Sequence, residues 1–375
     1  MDPSSPERVA PVDRRLSRYL RRQGATREEI DAAAADHMLT LLAIDQLLVP
    51  GRREHSAEDV AELSGVPPET ATLLWRALGF PDVGEGDRVF TNEAVDVVRV
   101  IGEPDDNALF APTDAEALVA QVRAIGAGLA RVAETISDQM VDAIAAARAA
   151  GVDDETTALG VIDAIDWPTI ARLYDFALRV QLRAALWRKL LTPQLETGEI
   201  DSLAVGFVDL VGYTALSQEL DAPELSALVS RFESLAHDTV AQLGGRLVKT
   251  IGDEVMFVAE DPDVVLRIAL VLTDRTLHDE LLPRARAGLA YGPALAREGD
   301  YWGAVVNLAH RLVEIARPTS VLVAAELADA LADREEYAFT RLRPRKIRGI
   351  GRVEIYAASA TDVTDVPDRS GSGRG

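Results

Sequence analysis

Apolar residues in the first half of the chain recur at helical spacing, and the punctuation between them is that of helix ends. Leu16, Tyr19 and Leu20 mark one face of a short basic helix, set among seven arginines between Arg8 and Arg27 that face a single acid, Asp13. Gly24 can stop that helix, and Thr26 with Glu29 forms a capping box that starts the next. Thr113 with Glu116 opens another, running toward Gly151 with a bend expected near Gly126 and Gly128. Beyond Trp167-Pro168, the residues Ile170, Leu173, Phe176, Leu178, Leu182 and Leu186 predict a helix to about Leu191. Ser56 to Leu78 carries two short helical stretches around Ser64-Gly65, a helix-turn-helix rhythm. Residues 1–191 therefore read as all-α, and the lost periodicity from Thr192 to Glu199 reads as a linker over 192–200.

After the linker the period changes. Leu203-Ala204-Val205-Gly206-Phe207-Val208 is a short apolar run ending in Asp209, the pattern of a buried strand with a carboxylate at its exit. A helix follows from Pro223 to Leu243, with Leu225, Leu228, Phe232, Leu235 and Val240 inward and Gly244-Gly245 closing it. Arg246 to Thr250 and Glu254 to Ala259 flank Ile251-Gly252-Asp253 and predict a hairpin. A helix from Asp263 to Leu281, a strand Arg286 to Tyr291, a helix Ala304 to Ile315 and a strand Ser320 to Val323 complete a β-α-β-β-α-β order. That order is the ferredoxin-like plan, so the fold class expected for residues 201–358 is α+β, preceded by an all-α domain. Past Ala358, residues 359–375 are rich in Ser, Gly and Asp and are expected to be disordered.

Composition narrows the functional classes. The 375 residues carry a formal net charge of −22, shared by both halves, and this charge argues against nucleic-acid or anionic-membrane partners. The second helix of the Ser56–Leu78 unit offers Glu69 and only Arg76 where a DNA reader needs several basic or amide side chains, so it reads as a structural tri-helical unit. With no Cys, disulfides, thiol nucleophiles and Cys-ligated zinc are excluded, in keeping with a reducing compartment. No signal-peptide core and no apolar run near the roughly 18 residues of a membrane span are present. The expected location is cytoplasmic. His37 and His55 are the N-terminal groups able to titrate near neutral pH.

Candidate chemistry gathers at Asp209, at a strand exit, and Asp253, at a hairpin tip, which sit side by side if their strands are sheet neighbours. Two converging carboxylates suit Mg²⁺ or Mn²⁺ completed by substrate phosphates, while Asp at strand ends and in Gly-Asp turns is equally an ordinary turn residue. Spacing alone leaves both readings standing.

The surrounding residues resemble a family. Phe207-Val208-Asp209-Leu210-Val211-Gly212-Tyr213-Thr214 and Leu247-Val248-Lys249-Thr250-Ile251-Gly252-Asp253-Glu254-Val255-Met256 are similar to the two metal-binding signatures of class III nucleotidyl cyclases. The stretch from Asp300 to Arg311, Asp300-Tyr301-Trp302-Gly303-Ala304-Val305-Val306-Asn307-Leu308-Ala309-His310-Arg311, resembles the third signature. Tyr19 to Ile30 is similar to the helical regulatory domain of the mycobacterial pH-responsive adenylate cyclases.

That resemblance implies an adenylate cyclase, in which Asp209 and Asp253 hold two Mg²⁺ or Mn²⁺ ions per active site. It implies that Lys249 donates to adenine N1 and Asp300 accepts from the exocyclic amino group, a pattern that guanine violates. Asn307 and Arg311, spaced i and i+4, would meet the ribose and the α-phosphate in the transition state. Arg286 and Arg348 would bind the triphosphate, with Lys346 an alternative to Arg348. The expected assembly is a homodimer with shared active sites, each taking its metals from one subunit and its base and transition-state contacts from the other. Three other readings stand beside it: a guanylate cyclase, disfavoured by Lys249 and Asp300; a diguanylate cyclase, lacking the required Gly-Gly-Asp/Glu-Glu-Phe hairpin; and a non-catalytic helix-turn-helix sensor, disfavoured by the acidic charge.

Overall fold

Helix caps written in the sequence set much of the N-terminal architecture. In this computed structural model, which describes residues 12–84, 86–102, 115–191, 199–297 and 299–360, the chain divides into two compact units, Met1–Gln181 and Leu182–Gly375. Among the described residues the helices of the first half are α1 (Arg14–Gln23), α2 (Arg27–Ala35), α3 (Leu39–Leu48), α4 (Ala57–Ser64), α5 (Pro68–Ala77), α6 (Asn92–Gly102), α7 (Ala115–Ala149), α8 (Asp154–Ala164) and α9 (Trp167–Leu191). The expected capping box forms: the Thr26 side chain accepts from the Glu29 amide, and Glu29 reaches back to the Thr26 amide. Helix α3 has no cap of its own, and Asp154 from α8 supplies one by accepting from the Leu39 and Thr40 amides at 2.6 and 3.3 Å. That bond locks α3 to α8 over a core of Leu16, Leu20, Ile30, Leu39, Ala43 and Ala158.

The Ser56–Leu78 unit forms as α4, a left-handed Gly65 and α5. With α6 it encloses Val60, Val66, Phe90, Val95 and Val98, and Trp75 stacks edge-on against Phe90. Helix α7 runs as one element, and Gly126 answers to packing: a Cβ there would fall 2.6 Å from the Leu78 carbonyl oxygen. Helix α9 matches its expected span, yet Leu173, Phe176, Leu178, Leu182 and Leu186 are exposed in the single chain, Leu173 and Phe176 at 62% and 60%. Residues 1–11 with Arg8, the cap residue Thr113, the linker segment 192–198 and residues 361–375 of the expected tail lie outside the described residues. None of the described helices is long and apolar enough to cross a membrane.

The second unit is an eight-stranded sheet with helices on both faces. Its elements are β1 (Glu199–Leu210), α10 (Tyr213–Glu219), α11 (Ala222–Gln242), β2 (Arg246–Ile251), β3 (Glu254–Ala259), α12 (Pro262–His278), β4 (Ala285–Arg297), β5 (Asp300–Trp302), α13 (Ala304–Ile315), β6 (Val321–Ala324), α14 (Ala325–Ala330), β7 (Tyr337–Arg341), β8 (Arg345–Ile347), β9 (Gly351–Val353) and β10 (Ile355–Ala360). Strand order is β2-β3-β1-β4-β6-β10-β7, with β5 paired to β4 and β8-β9 forming a separate ribbon. The first four strands in the order 2-3-1-4, antiparallel throughout, are the ferredoxin-like arrangement, so the expected α+β class holds.

Three differences have physical causes. Strand β1 begins at Glu199, inside the segment read as linker, because Ile200 pairs with Ala294 and is buried. Strand β4 extends past the expected end at Tyr291 through Gly292-Pro293, a strand-breaking pair in sequence terms, because its outer end pairs with β5. The C-terminal strands β7 to β10 were not foreseen, being short and without clean alternation. One sheet face packs on α11, α12 and α14 through Phe232, Val265, Leu266, Leu272 and Leu327. The other packs on α13 through Val305, Ala309, Leu312 and Val313.

Candidate active site

The site is built at one end of the sheet. Val208 points into the core, so pleat alternation turns Asp209 to the α13 face at the strand exit. Register sets Asp209 opposite Glu254 on β3 and opposite Arg286 on β4. The β2-β3 turn closes on Gly252, whose φ of +62° is the left-handed value that favours glycine, and Asp253 follows. The Leu210 amide donates to the Asp253 carbonyl at 3.1 Å, holding the hairpin tip against the β1 exit. The neighbour of β1 is thus β3, and Asp209, Asp253 and Arg286 come together as the motifs require.

Electrostatics mark this cluster. Burial, and after it the Asp209 charge, pushes the Asp253 carboxyl up to about 6. Burial, then Asp209 and Asp253, pushes Glu254 up to about 7. Carboxylates so placed are short of positive charge. Arg286 supplies part of it, with Nη2 and Nε 2.6 and 2.7 Å from Asp209 Oδ2. Its Nη1 donates to the main-chain carbonyl of Glu314 at 3.0 Å.

A second group lies on β2 and β5. Lys249 Nζ is 2.5 Å from Asp300 Oδ2, and Asp300 Oδ1 accepts from the Tyr301 amide at 2.8 Å. Arg246 steadies this edge by donating to the Tyr301 hydroxyl and to the Gly299 carbonyl. Among the described residues no hydrogen bond or ion pair links Lys249 or Asp300 to Asp209 or Asp253.

Asn307 and Arg311 lie one turn apart on α13, with Asn307 exposed and the Arg311 guanidinium held by both Glu314 oxygens at 2.7 and 2.8 Å. The helix sits hard on the sheet because position 288 is glycine: a Cβ there would fall 2.2 Å from the Val313 nitrogen and 2.4 Å from the Ala309 oxygen. Arg348 is exposed just beyond β8, and Lys346 is exposed within it.

Two members of the neighbourhood were missed in the sequence. Glu254 is a third carboxylate, directly after Asp253, and only its burial distinguishes it from a turn residue. His310 has its Nε2 3.5 Å from Glu254 Oε2 and its ring edge-on to Phe207 at 5.3 Å. It lies one residue before Arg311 on α13, which was the available signal.

The donors at Asp209 and Asp253 are hard oxygens, and two carboxylates completed by phosphate oxygens match what Mg²⁺ or Mn²⁺ accepts. The raised carboxyls of Asp253 and Glu254 beside Asp209 leave a demand for positive charge that fits a divalent ion. No set of three or more ligand-type side chains in metal-binding geometry occurs among the described residues, so phosphates would have to complete the shell.

A ferredoxin-like sheet with carboxylates at one end and α13 across its face brings the three motifs of the sequence onto one domain, and the family match makes that domain a nucleotidyl cyclase catalytic domain. Residues 195–360 match the family described as adenylate and guanylate cyclase catalytic domain, and residues 7–186 the adenylate cyclase regulatory domain. An adenylate cyclase of Streptomyces coelicolor is 34% identical over 291 residues, 77% of this chain and 75% of that one. The pH-sensitive adenylate cyclase of Mycobacterium tuberculosis is 32% identical over 358 residues, covering 91% and 86%. An adenylyl cyclase structure from P. aeruginosa is similar over 45% of this chain and 98% of its own, at 21% identity and a TM-score of 0.41. The chain belongs to the adenylate cyclase family and pairs a cyclase catalytic domain with an N-terminal regulatory domain. Catalytic domains of this class are generally metal-dependent.

Proposed function

We propose that the protein converts ATP to 3′,5′-cyclic AMP and pyrophosphate. The ribose 3′-oxygen forms a bond to the α-phosphorus, the bridging bond to the β-phosphate breaks, and the 3′-hydroxyl proton is released. Two Mg²⁺ or Mn²⁺ ions, when held by Asp209 and Asp253, would lower the cost of removing that proton and neutralise the triphosphate. Every other role falls to side chains. Lys249 donates to adenine N1 and Asp300 accepts from the 6-amino group, Asn307 orients the ribose, Arg311 meets charge developing on the α-phosphate, and Arg286 and Arg348 bind the outer phosphates. The observation that carries the substrate assignment is the juxtaposition of Lys249 and Asp300 at 2.5 Å, a donor and an acceptor side by side at the edge of the sheet. Guanine, with a donor at N1 and an acceptor at O6, meets this pair with both partners mismatched.

The functional unit is a homodimer with two shared sites. Exposed Leu173, Phe176 and Leu190 on α9, and Trp302 and Ile251 in the catalytic unit, support association with a second copy. The layout is a regulatory domain up to about residue 191, a linker ending before Glu199, a catalytic domain that runs to Ala360, two residues past the boundary expected at 358, and a tail beyond it, in a cytoplasmic protein. The regulatory domain sets catalytic-domain orientation in response to pH, a reading supported by the similarity to a pH-sensitive adenylate cyclase. The deciding experiment is incubation of the purified chain with ATP or GTP plus Mn²⁺ and identification of the product. A Lys249→Glu, Asp300→Cys double variant is expected to lose its ATP preference. An unchanged ATP:GTP ratio overturns the selector assignment, and absence of cyclic product from either nucleotide overturns the activity.

A further inference from the structure

The guanidinium of Arg286 makes three polar contacts with two partners. Nη2 and Nε both address Asp209 Oδ2, at 2.6 and 2.7 Å, and Nη1 donates to the Glu314 carbonyl at 3.0 Å. Both side chains are largely covered, Asp209 at 15% and Arg286 at 27% exposed. The Glu314 carboxylate in turn grips Arg311. Arg286 therefore ties Asp209 to the main chain of Glu314, the residue whose side chain holds Arg311.

An oxygen that accepts two charge-assisted bonds from a guanidinium has little left to offer a metal ion. Two cations on one oxygen would also repel each other strongly at such separations. We propose that Arg286 is a place-holding cation: it holds Asp209 Oδ2 and leaves only Oδ1 of that carboxylate for a metal ion, so its charge opposes metal binding until it turns to the nucleotide phosphates. Its Nη1 bond ends on the last turn of α13, so its departure also removes a restraint on Glu314, the residue that holds Arg311. In a shared-site dimer this Arg311 serves the other site, so filling one site prepares the second. Arg286 is thus a positioning residue before it is a phosphate ligand. This inference rests on the reading of Asp209 and Asp253 as metal ligands.

The test is Mn²⁺ binding to the full-length, nucleotide-free protein, followed by loss of the free-ion electron paramagnetic resonance signal. Arg286→Gln is expected to bind Mn²⁺ about tenfold tighter than wild type, whereas Arg286→Lys, which keeps the charge, stays near wild type. A phosphate-binding role alone predicts no change without nucleotide, and a purely structural role predicts weaker binding; either result overturns the proposal while leaving the metal site intact. Tightening in both variants overturns it as well, since charge would not be the cause. Mn²⁺ binding by wild type and Arg286→Gln only when a non-cyclisable ATP analogue is added overturns the place-holding role, and no saturable Mn²⁺ binding by wild type even with that analogue overturns the metal reading itself. Should the Gln variant not fold, the wild-type Arg286 Nε–H resonance, identified by its absence from the Lys variant, decides the matter. It is expected to shift on Mg²⁺ addition, and an unchanged resonance at saturating Mg²⁺ overturns the proposal.

Discussion

Gly288→Ala probes how closely α13 must lie on the sheet. The added Cβ would stand 2.2 Å from the Val313 nitrogen, 2.4 Å from the Ala309 oxygen and 2.7 Å from the Leu312 carbonyl carbon, all backbone atoms of α13. No side-chain rotation relieves such contacts, so helix and strand must separate by about 1 Å to reach ordinary van der Waals distance. Asn307 and Arg311 move with the helix. A displacement of about 1 Å at reacting groups costs on the order of 10²-fold in rate, and overpacking of this kind costs about 1–3 kcal/mol in stability. Gly206→Ala is the matched control: its Cβ would meet the Phe257 ring at 2.5 Å and Leu289 at 2.9 Å, on the sheet face away from α13. Both variants should lower the unfolding midpoint, but only Gly288→Ala should lower kcat about a hundredfold while the protein stays folded at the assay temperature. Circular dichroism melts and initial rates on saturating metal and ATP measure the two quantities. Equal kcat for the two variants, at comparable stability loss, would refute the argument that close docking of α13 positions the catalytic side chains.

Inactive Asp253→Ala and inactive Arg311→Ala chains, refolded together, should regain partial activity because one heterodimer site receives every wild-type contributor; no recovery in verified heterodimers sinks the shared-site arrangement. Glu254→Gln should stabilise the metal-free chain at pH 8. The folded carboxyl is raised from 4.5 to about 7, so its stabilising contribution is present below the ordinary value and lost as pH rises through 7. The full shift corresponds to roughly 3 kcal/mol, reduced to about 1–2 kcal/mol by water at the partly open site. Urea unfolding in EDTA at pH 4.5 and 8 should show the gain only at the higher pH, and a loss there contradicts the sign. Leu173→Asp with Phe176→Asp, both on the exposed side of α9, should shift the protein toward monomer in sedimentation with little change in secondary structure. A dimer of unchanged affinity would remove α9 from the interface.

How much of this was legible in the residues themselves divides along the range of the interactions. Local rules read off Thr26-to-Glu29 capping, the helix from Ala304 to Ile315 and the hairpin around Gly252-Asp253, because each depends on neighbours within about four residues. The same rules placed Asp209 at a strand exit and Asn307 with Arg311 on one helix face. What tertiary structure alone decided was which distant residues meet. Arg286 lies 77 residues from Asp209 and is joined to it by the β1-β4 register, while Lys249 lies 51 residues from Asp300, on strands that do not pair, and meets it by a side-chain ion pair; neither is visible to local pattern. Burial is likewise a property of the assembled sheet. It separates Glu254 from an ordinary turn carboxylate, and it leaves the apolar residues of α9 outward although their spacing is that of a buried helix. Periodicity tells a helix that it has an apolar face; only the packing of the whole chain determines whether that face is already covered.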